Sequence, residues 1–385
     1  MEFNHDNVEW VVEEDRLTSL PDDLIHKILS SFDMKFVVRM CLLSTRWKLL
    51  WTSMPYLNFS SYPFYSLNKF AEFMTHVLSR RNHQIEVFLV NLSSGGTLDQ
   101  VFVEKIASYA LSHNVQELDL RCSVNVMNPS LQITYPPLLF SSRCLKHLTM
   151  SLKYMRLCDR TKTPWDFPAL TTLKLSHIRL CGDIFSKCVN LKDLTLNQFR
   201  VVGLEEAFDI ITPRLSNLSL TYGHCSKVMN VLTPQLEKLV MSCCSIKYLN
   251  APPEVIYLCY TSWPCSYGSV EFSNDPFHSL SEVRLNVHYK NKTYTEKDVR
   301  KAINMLQKLH SARYLTLYED IVEGISAFPD LLSQHSSPFS NLICLTIYSY
   351  KVGYKVKMSN EARNFFLDNS PSSTLIMKSP KEGSK

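Results

Sequence analysis

The chain has 385 residues, 45% of them apolar and 20% charged, with a net charge of +5. That length exceeds the usual single-domain range, so two units or an elongated repeat are expected, and the balance suits a folded chain. With 9 glycines and no GxGxxG or P-loop pattern, nucleotide binding has no support; the thinly spread basic residues, densest at Arg80-Arg81 and Lys378, Lys381 and Lys385, do not form the broad basic face that nucleic acid requires.

Residues 1–14 are rich in Glu and Asp, the opposite of a signal or transit peptide, and are read as a disordered acidic N-terminus. No apolar run reaches the length of a membrane span, so no membrane partner is expected. The 12 cysteines form no CxxC pair, which points to a reducing compartment, cytoplasm or nucleus rather than secretion, and to no zinc site or other cofactor. The adjacent Cys243 and Cys244 are expected on opposite faces of a strand.

Residues 15–62 read as three short helices. Pro21 suits a helix start, Asp22 and Asp23 follow at the positive end of its dipole, and Leu24, Ile25, Ile28 and Leu29 make an apolar stripe. Asp33 can cap a second helix carrying Val37, Val38 and Cys41. Ser44 can cap a third, with Trp47, Leu50, Trp51 and Met54 at helical offsets.

This segment resembles an F-box, through Leu20-Pro21, the Ile28-Leu29 pair, Asp33, and the close Leu43-Ser44-x-Arg46-Trp47-x-x-Leu50-Trp51. It departs from the family at Ser31, where members usually carry a large apolar residue; Phe32 stands beside it. An adaptor-binding surface is expected from Leu20, Pro21, Leu24, Ile25, Ile28, Leu29, Val37, Val38, Leu43, Trp47 and Trp51. Part of that set must build the three-helix core and the rest should stay exposed, since an exposed apolar patch implies a partner.

Residues 63–114 read as a helix-rich linker and cap. One helix carries Phe70, Phe73, Met74 and Val77; another carries Val103, Ile106, Ala107, Ala110 and Leu111; Ile85 to Leu92 between them reads as a first, degenerate strand. From residue 115 to 358 a pattern recurs: apolar, two variable, apolar, one variable, apolar. It is clear at Val115-Leu118-Leu120, Leu170-Leu173-Leu175 and Leu215-Leu218-Leu220, weaker at Val255, Leu280 and Ala312, and clear again at Leu342. The spacing lies in the leucine-rich-repeat range. The fourth and sixth positions point inward and their neighbours outward, so stacked copies build one parallel sheet.

A further apolar residue follows each strand at Leu180, Val201, Cys225 and Ile246, but Ile178, Phe199, Gly223 and Cys244 stand where regular repeats carry asparagine, so irregular curvature is expected. Among the connections, Leu204 to Ile211 looks helical, and Thr295 and Asp298 cap a helix with Val299, Ile303, Leu306 and Leu309 inward. Residues 359–378 form a C-terminal cap with a helix burying Phe365 and Phe366, and 379–385 a disordered tail. The expected fold is α/β: a three-helix F-box, then an irregular leucine-rich-repeat solenoid with a parallel sheet on its concave face.

Together these features resemble plant F-box/LRR-repeat proteins. The resemblance implies an F-box docked on a Skp-type adaptor, through it a cullin and a RING protein, and repeats that hold a protein substrate for ubiquitination, with no catalytic residue in the chain. The outward rows are hydroxyls, amides and isolated charges; no carboxylate pair or nucleophile–base arrangement converges. Lys174, Thr195, Asn197, Ser219, Thr221 and Arg284 are the candidate substrate contacts, and Tyr257, Tyr260, Trp263 and Tyr267 a candidate aromatic anchor. Lys174 and Arg284 fall too far apart in the stack to floor a small-molecule pocket. The alternative is an F-box scaffold or sequestering protein that acts without ubiquitin transfer, to which Ser31 gives weight.

Overall fold

The computed structural model describes residues 19–40, 42, 47–82, 84–97, 100–123, 137–153, 165–203, 205–262, 270–272, 277–289 and 293–380. The acidic N-terminus, Cys41, Leu43, Ser44, Arg46, Leu204, Trp263, Tyr267 and the tail after Pro380 lie outside these residues.

Helix α1 spans Asp22–Leu29, directly after Pro21, with both aspartates in its first turn. Asp33 caps α2 (Met34–Met40), its Oδ1 accepting the Lys35 and Phe36 N–H groups at 2.9 and 3.1 Å. The third helix is not α-helical: Trp47–Ser53 is a 3₁₀ helix. Three residues per turn align Trp47 with Leu50, which are both buried, and turn Trp51 to half-exposure.

The strands then follow in chain order. They are β1 (Tyr56–Ser60), β2 (Leu89–Thr97), β3 (Glu117–Ser123), β4 (His147–Lys153), β5 (Thr172–Ser176), β6 (Arg179–Leu180) and β7 (Asp193–Asn197). After these come β8 (Arg200–Val201), β9 (Ala207–Ile211), β10 (Asn217–Thr221), β11 (His224–Leu232), β12 (Lys238–Ser242) and β13 (Ser245–Asn250). The last are β14 (Tyr257–Ser262), β15 (Glu271–Phe272), β16 (Glu282–Val287), β17 (Tyr314–Tyr318), β18 (Cys344–Tyr348) and β19 (Thr374–Lys378).

Thirteen of them form one sheet in the order β1-β2-β3-β4-β5-β7-β10-β12-β14-β16-β17-β18-β19, with every neighbour parallel. The apolar fourth and sixth positions of each pattern, such as Leu173 and Leu175 or Leu218 and Leu220, are buried in one continuous core. The sheet extends further than the pattern: Tyr56–Ser60, inside the segment read as F-box, is its first strand, so the strand read near Ile85 is the second and starts at Leu89. β19 adds a last strand beyond the cap helix.

A second parallel sheet runs β15-β13-β11-β8-β6, with β9 also paired to β11. Leu180, Val201, Cys225 and Ile246 are among its buried residues. β9 replaces the helix expected over Leu204–Ile211: Phe208 and Ile210 alternate inward with Asp209 between them, a two-residue period that wins once β11 offers a ladder.

The chain turns from the first sheet to the second at four left-handed corners, His177, Gln198, Tyr222 and Cys243, with φ of 60, 49, 51 and 54°. Each corner N–H donates to a carbonyl at or one residue before the end of the next strand: His177 to Asn197, Gln198 to Thr221, Tyr222 to Ser242 and Cys243 to Thr261, at 2.8–2.9 Å. Cys243 is therefore a corner residue, not one face of a strand, and Cys244 after it is buried. Inside the corners Ile178, Phe199 and Cys244 pack apolar surface where an amide ladder was absent from the sequence, and backbone bonds (Arg200 N–H to Ile178 at 2.8 Å, His224 N–H to Phe199 at 2.9 Å) link the layers.

Six more α-helices among the described residues cover the core. α3 (Leu67–Arg80) is capped by Ser66, and α4 (Gln100–Ser112) buries Val103, Ile106 and Ala107. α5 (Glu296–Lys308) has the expected Thr295 cap, which accepts the Asp298 N–H at 3.2 Å, and it buries Val299, Ile303 and Leu306. α6 (Glu319–Ser326) and the single turn α7 (Pro329–Leu332) were not foreseen. α8 (Asn360–Leu367) buries Phe365 and Phe366 as expected, behind a Ser359 cap. No described helix is long and apolar enough to cross a membrane.

Candidate functional site

Two surfaces hold the candidate residues. The first is the helical segment at the N-terminal end. Of the residues expected to bind an adaptor, Ile25, Leu29, Val37 and Trp47 are buried and build the core. Leu20, Val38 and Trp51 pack partly against it, and Pro21 is exposed. Leu24 and Ile28, one turn apart on α1, remain 48% and 49% exposed.

Sequence reasoning passed over other apolar residues here: Phe36, Leu42 and Leu49 are also exposed. Phe32 is exposed and stacks on Phe36 with ring centroids 4.7 Å apart. Ser31, the departure from the family pattern, is exposed and turns its hydroxyl back to the Ile28 carbonyl at 3.0 Å, so the apolar surface beside it comes from Phe32. No periodicity rule marks Phe32, which lies between helices, or Leu49, which lies on a 3₁₀ turn, while Phe36 lies on α2 beside the inward Val37.

This segment is fixed to the sheet rather than tethered. Asn58 on β1 donates to the Ser30 carbonyl, and the Asn82 N–H to the Thr52 carbonyl at 3.1 Å. Arg81, buried at the end of α3, donates from Nη1 to the Met54 carbonyl. Burial holds the Arg81 pKa below the ordinary guanidinium value, with Tyr109 opposing, and burial likewise pushes the Tyr109 phenol up.

The second surface is the face of the long sheet turned away from the core. In-register pairing sets its side chains in rows. Lys174, Thr195 and Ser219 stand side by side on β5, β7 and β10, and Asn197 stands beside Thr221 two residues further along. Arg284 shares the first row but lies five strands from Lys174, about 24 Å at the usual strand spacing. The structure therefore groups five of the six candidate substrate contacts and sets the sixth apart. Arg284 is paired with Glu282 at 2.7 Å, which raises its pKa, and Arg121 is paired with Asp119 at 2.7 Å.

Around Arg284 the face becomes aromatic. Tyr318 stacks between Tyr348 and Tyr350, at 5.6 and 5.1 Å, and His288 stacks on Tyr350 at 4.9 Å. His288 Nδ1 lies 3.3 Å from Asp320, and its Nε2 lies 3.0 Å from the Tyr350 hydroxyl. Burial raises the Tyr350 pKa well above the ordinary phenol value, an effect the Asn286 side chain opposes. A phenol held protonated is a hydrogen-bond donor and a ring to stack on, not an activated nucleophile. Of the aromatic anchor read from sequence, Tyr260 is buried and donates no surface, while Tyr257 is half-buried at the edge of this cluster with Arg284 6.0 Å from its ring centre. Tyr318 and Tyr348 were visible as outward repeat positions, whereas Tyr350 and His288 follow strand ends where no repeat rule assigns a direction. Among the described residues no group of three or more His, Cys, Asp or Glu is placed to hold a metal ion.

A family model of the F-box domain matches residues 17–59. A putative F-box/FBD/LRR-repeat protein of Arabidopsis thaliana is 26% identical over 357 residues, covering 88% of this chain and 69% of the relative. A second F-box/FBD/LRR-repeat protein of that plant is 30% identical over 214 residues, 54% of this chain and 45% of the relative, so there the chain spans about half the relative's length. An F-box/LRR-repeat protein of the same plant is 24% identical over 334 residues, 81% of this chain and 62% of the relative. The chain thus carries an F-box domain, and from that domain through the stacked strands it is similar to plant F-box/LRR-repeat proteins.

Proposed function

We propose that this protein is the substrate-binding subunit of an Skp–cullin–F-box ubiquitin ligase. The F-box match carries the reading, supported by apolar side chains at Leu24, Ile28, Phe32 and Phe36 that stay exposed in the free chain. On this reading they dock a Skp-type adaptor, which brings a cullin and a RING protein. We read residues 115–358 as an irregular leucine-rich-repeat solenoid, closed by caps at 63–114 and 359–378, with the long sheet on its concave side. Its strictly sequential parallel order supports this. The polar rows and the tyrosine cluster then hold a protein substrate, with hydroxyls and amides on rigid strands losing little side-chain entropy. The protein makes and breaks no bond; it acts by proximity, holding a substrate lysine near the charged conjugating enzyme.

The second reading, a scaffold without ubiquitin transfer, draws on Ser31 at an adaptor-facing position. One experiment separates the two. The full chain is co-purified with a Skp-type adaptor and a cullin, beside a Leu24→Asp/Ile28→Asp variant. Capture of both partners by the wild type alone supports the ligase receptor. Adaptor without cullin supports the scaffold, and no adaptor with either chain overturns both.

A further inference from the structure

We propose that the row Arg179, Arg200 and His224, on the outer side of the second sheet, docks an acidic peptide segment of a protein partner. The row is set by register: Arg179 on β6 pairs with Arg200 on β8, and Arg200 with His224 on β11. The next residue on each strand, Leu180, Val201 and Cys225, is buried, so by strand alternation the two arginines and the histidine point away from the core. Two inter-strand steps hold all three within roughly 10 Å.

Several other cations on these sheets have partners. Arg121 meets Asp119, Arg284 meets Glu282, and Lys227 donates to the Gly203 and Glu205 carbonyls. The side chains of Arg179, Arg200 and His224 make no hydrogen bond or ion pair among the described residues. Like charges set directly beside one another across strands are destabilising, and neither arginine is ion-paired among the described residues. An anion from outside would offset them, and arginine's planar fork suits a carboxylate. The corner residues just before the row add a ring and an amide, since Tyr222 is 58% exposed and Gln198 is exposed.

The size and surroundings of the row favour a short peptide over a nucleic acid. Asp183 follows β6 and Glu205 and Glu206 follow β8, and all three are exposed, so an extended polyanion would meet repulsion on leaving the row. Carboxylates at alternate positions of an extended peptide lie about 7 Å apart, which fits within the span. The proposal rests on neither the adaptor nor ubiquitin transfer.

The test uses the full chain and a fluorescein-labelled peptide of alternating glutamate and alanine, read by anisotropy beside a glutamine counterpart. The glutamate peptide should bind, more weakly as salt rises, and the glutamine peptide should not. Arg179→Glu/Arg200→Glu should weaken binding at least tenfold, while Arg179→Lys/Arg200→Lys retains most of it, with circular dichroism showing both variants folded. If charge reversal disturbs the fold, the single Arg200→Gln variant decides, with a loss of several-fold expected. Equal binding of both peptides, no binding of either, or unchanged affinity in the neutral or reversed variants overturns the proposal. So does a single-stranded oligonucleotide or an anionic vesicle that binds through the row when the glutamate peptide does not.

Discussion

The ring of Phe199 fills the space that a side chain at Gly223 would need: a Cβ on Gly223 would lie 2.1 Å from Phe199 Cε1. The two residues occupy equivalent positions inside successive corners, and the ring of one is accommodated by the missing side chain of the next. Gly223 is not in a left-handed conformation, so the requirement is for space alone. Gly223→Ala is expected to lower stability by about 3 kcal/mol in urea unfolding, by forcing the buried ring to move. In a Phe199→Leu background the same change should cost at least about 1 kcal/mol less, because the two sites share one volume. Equal costs in both backgrounds would mean that the ring is not what excludes a side chain.

The corners themselves are strained in a way that can be measured. Gln198, Tyr222 and Cys243 hold a left-handed backbone that disfavours a Cβ by about 1–2 kcal/mol. Cys243→Gly releases that strain but adds freedom to the unfolded chain, so the net change should fall within about 1 kcal/mol of zero. Cys243→Val keeps a Cβ and branches it, and should destabilise by about 2 kcal/mol. The ordering Gly above Val in melting temperature is the prediction, although valine is the better residue for a strand. The reverse order would show that the corner relaxes around a branched side chain.

The N-terminal helix separates a buried side chain from an exposed one within a single turn. Ile25 is 1% exposed and Ile28 is 49% exposed. Ile25→Ala should cost about 2–4 kcal/mol by leaving a cavity, whereas Ile28→Ala should stay within about 0.5 kcal/mol of the wild type. Adaptor capture should fall for Ile28→Ala with the fold intact. A large stability loss at Ile28 would place that residue in the core and remove it from the docking surface.

How much of this was legible from sequence differs by layer. Strands such as Leu173-Leu175 and Leu218-Leu220 were readable because a buried sheet face imposes a strict two-residue alternation. The Thr295 helix was readable because its cap and apolar stripe are local. β9 was not, since Glu-Glu-Ala-Phe-Asp-Ile-Ile satisfies helical and strand periods alike and only pairing with β11 decides between them. Trp47–Ser53 failed for a related reason: residues three apart align on a 3₁₀ and an α-helix both. β1 was hidden because the F-box pattern runs into it without a break. In the candidate sites, Leu24 and Ile28 were in the expected set, but which members face solvent depends on how α1 packs on its neighbours. Arg179, Arg200 and His224 each sit beside a residue recognised as apolar and inward; their assembly into a row needed the register of three strands separated in sequence.

Buried thiols give the chain an alkaline limit that a single substitution can expose. Cys188 is fully buried, its Sγ 3.6 Å from the Trp165 carbonyl, and burial pushes its pKa from 9.0 to about 12. Cys122 is likewise pushed to about 12, by burial and then by the Asp119 carboxylate. In the unfolded chain these thiols lose their protons as pH passes 9.0, while the folded chain retains them, so above that pH the unfolded state binds fewer protons. Stability from this source is complete below pH 9 and is lost as pH rises towards 12. Other groups also titrate in that window, so the readout is a difference between proteins. Urea unfolding between about pH 8.5 and 11 should show a shallower decline for Cys188→Ala than for the wild type, by at most about 1.4 kcal/mol per pH unit. Cys188→Ala will be less stable at neutral pH through lost packing, but the two curves should converge as pH rises. Parallel curves across the window would show that the Cys188 thiol titrates alike in the folded and unfolded chain, and that its burial does not hold the proton.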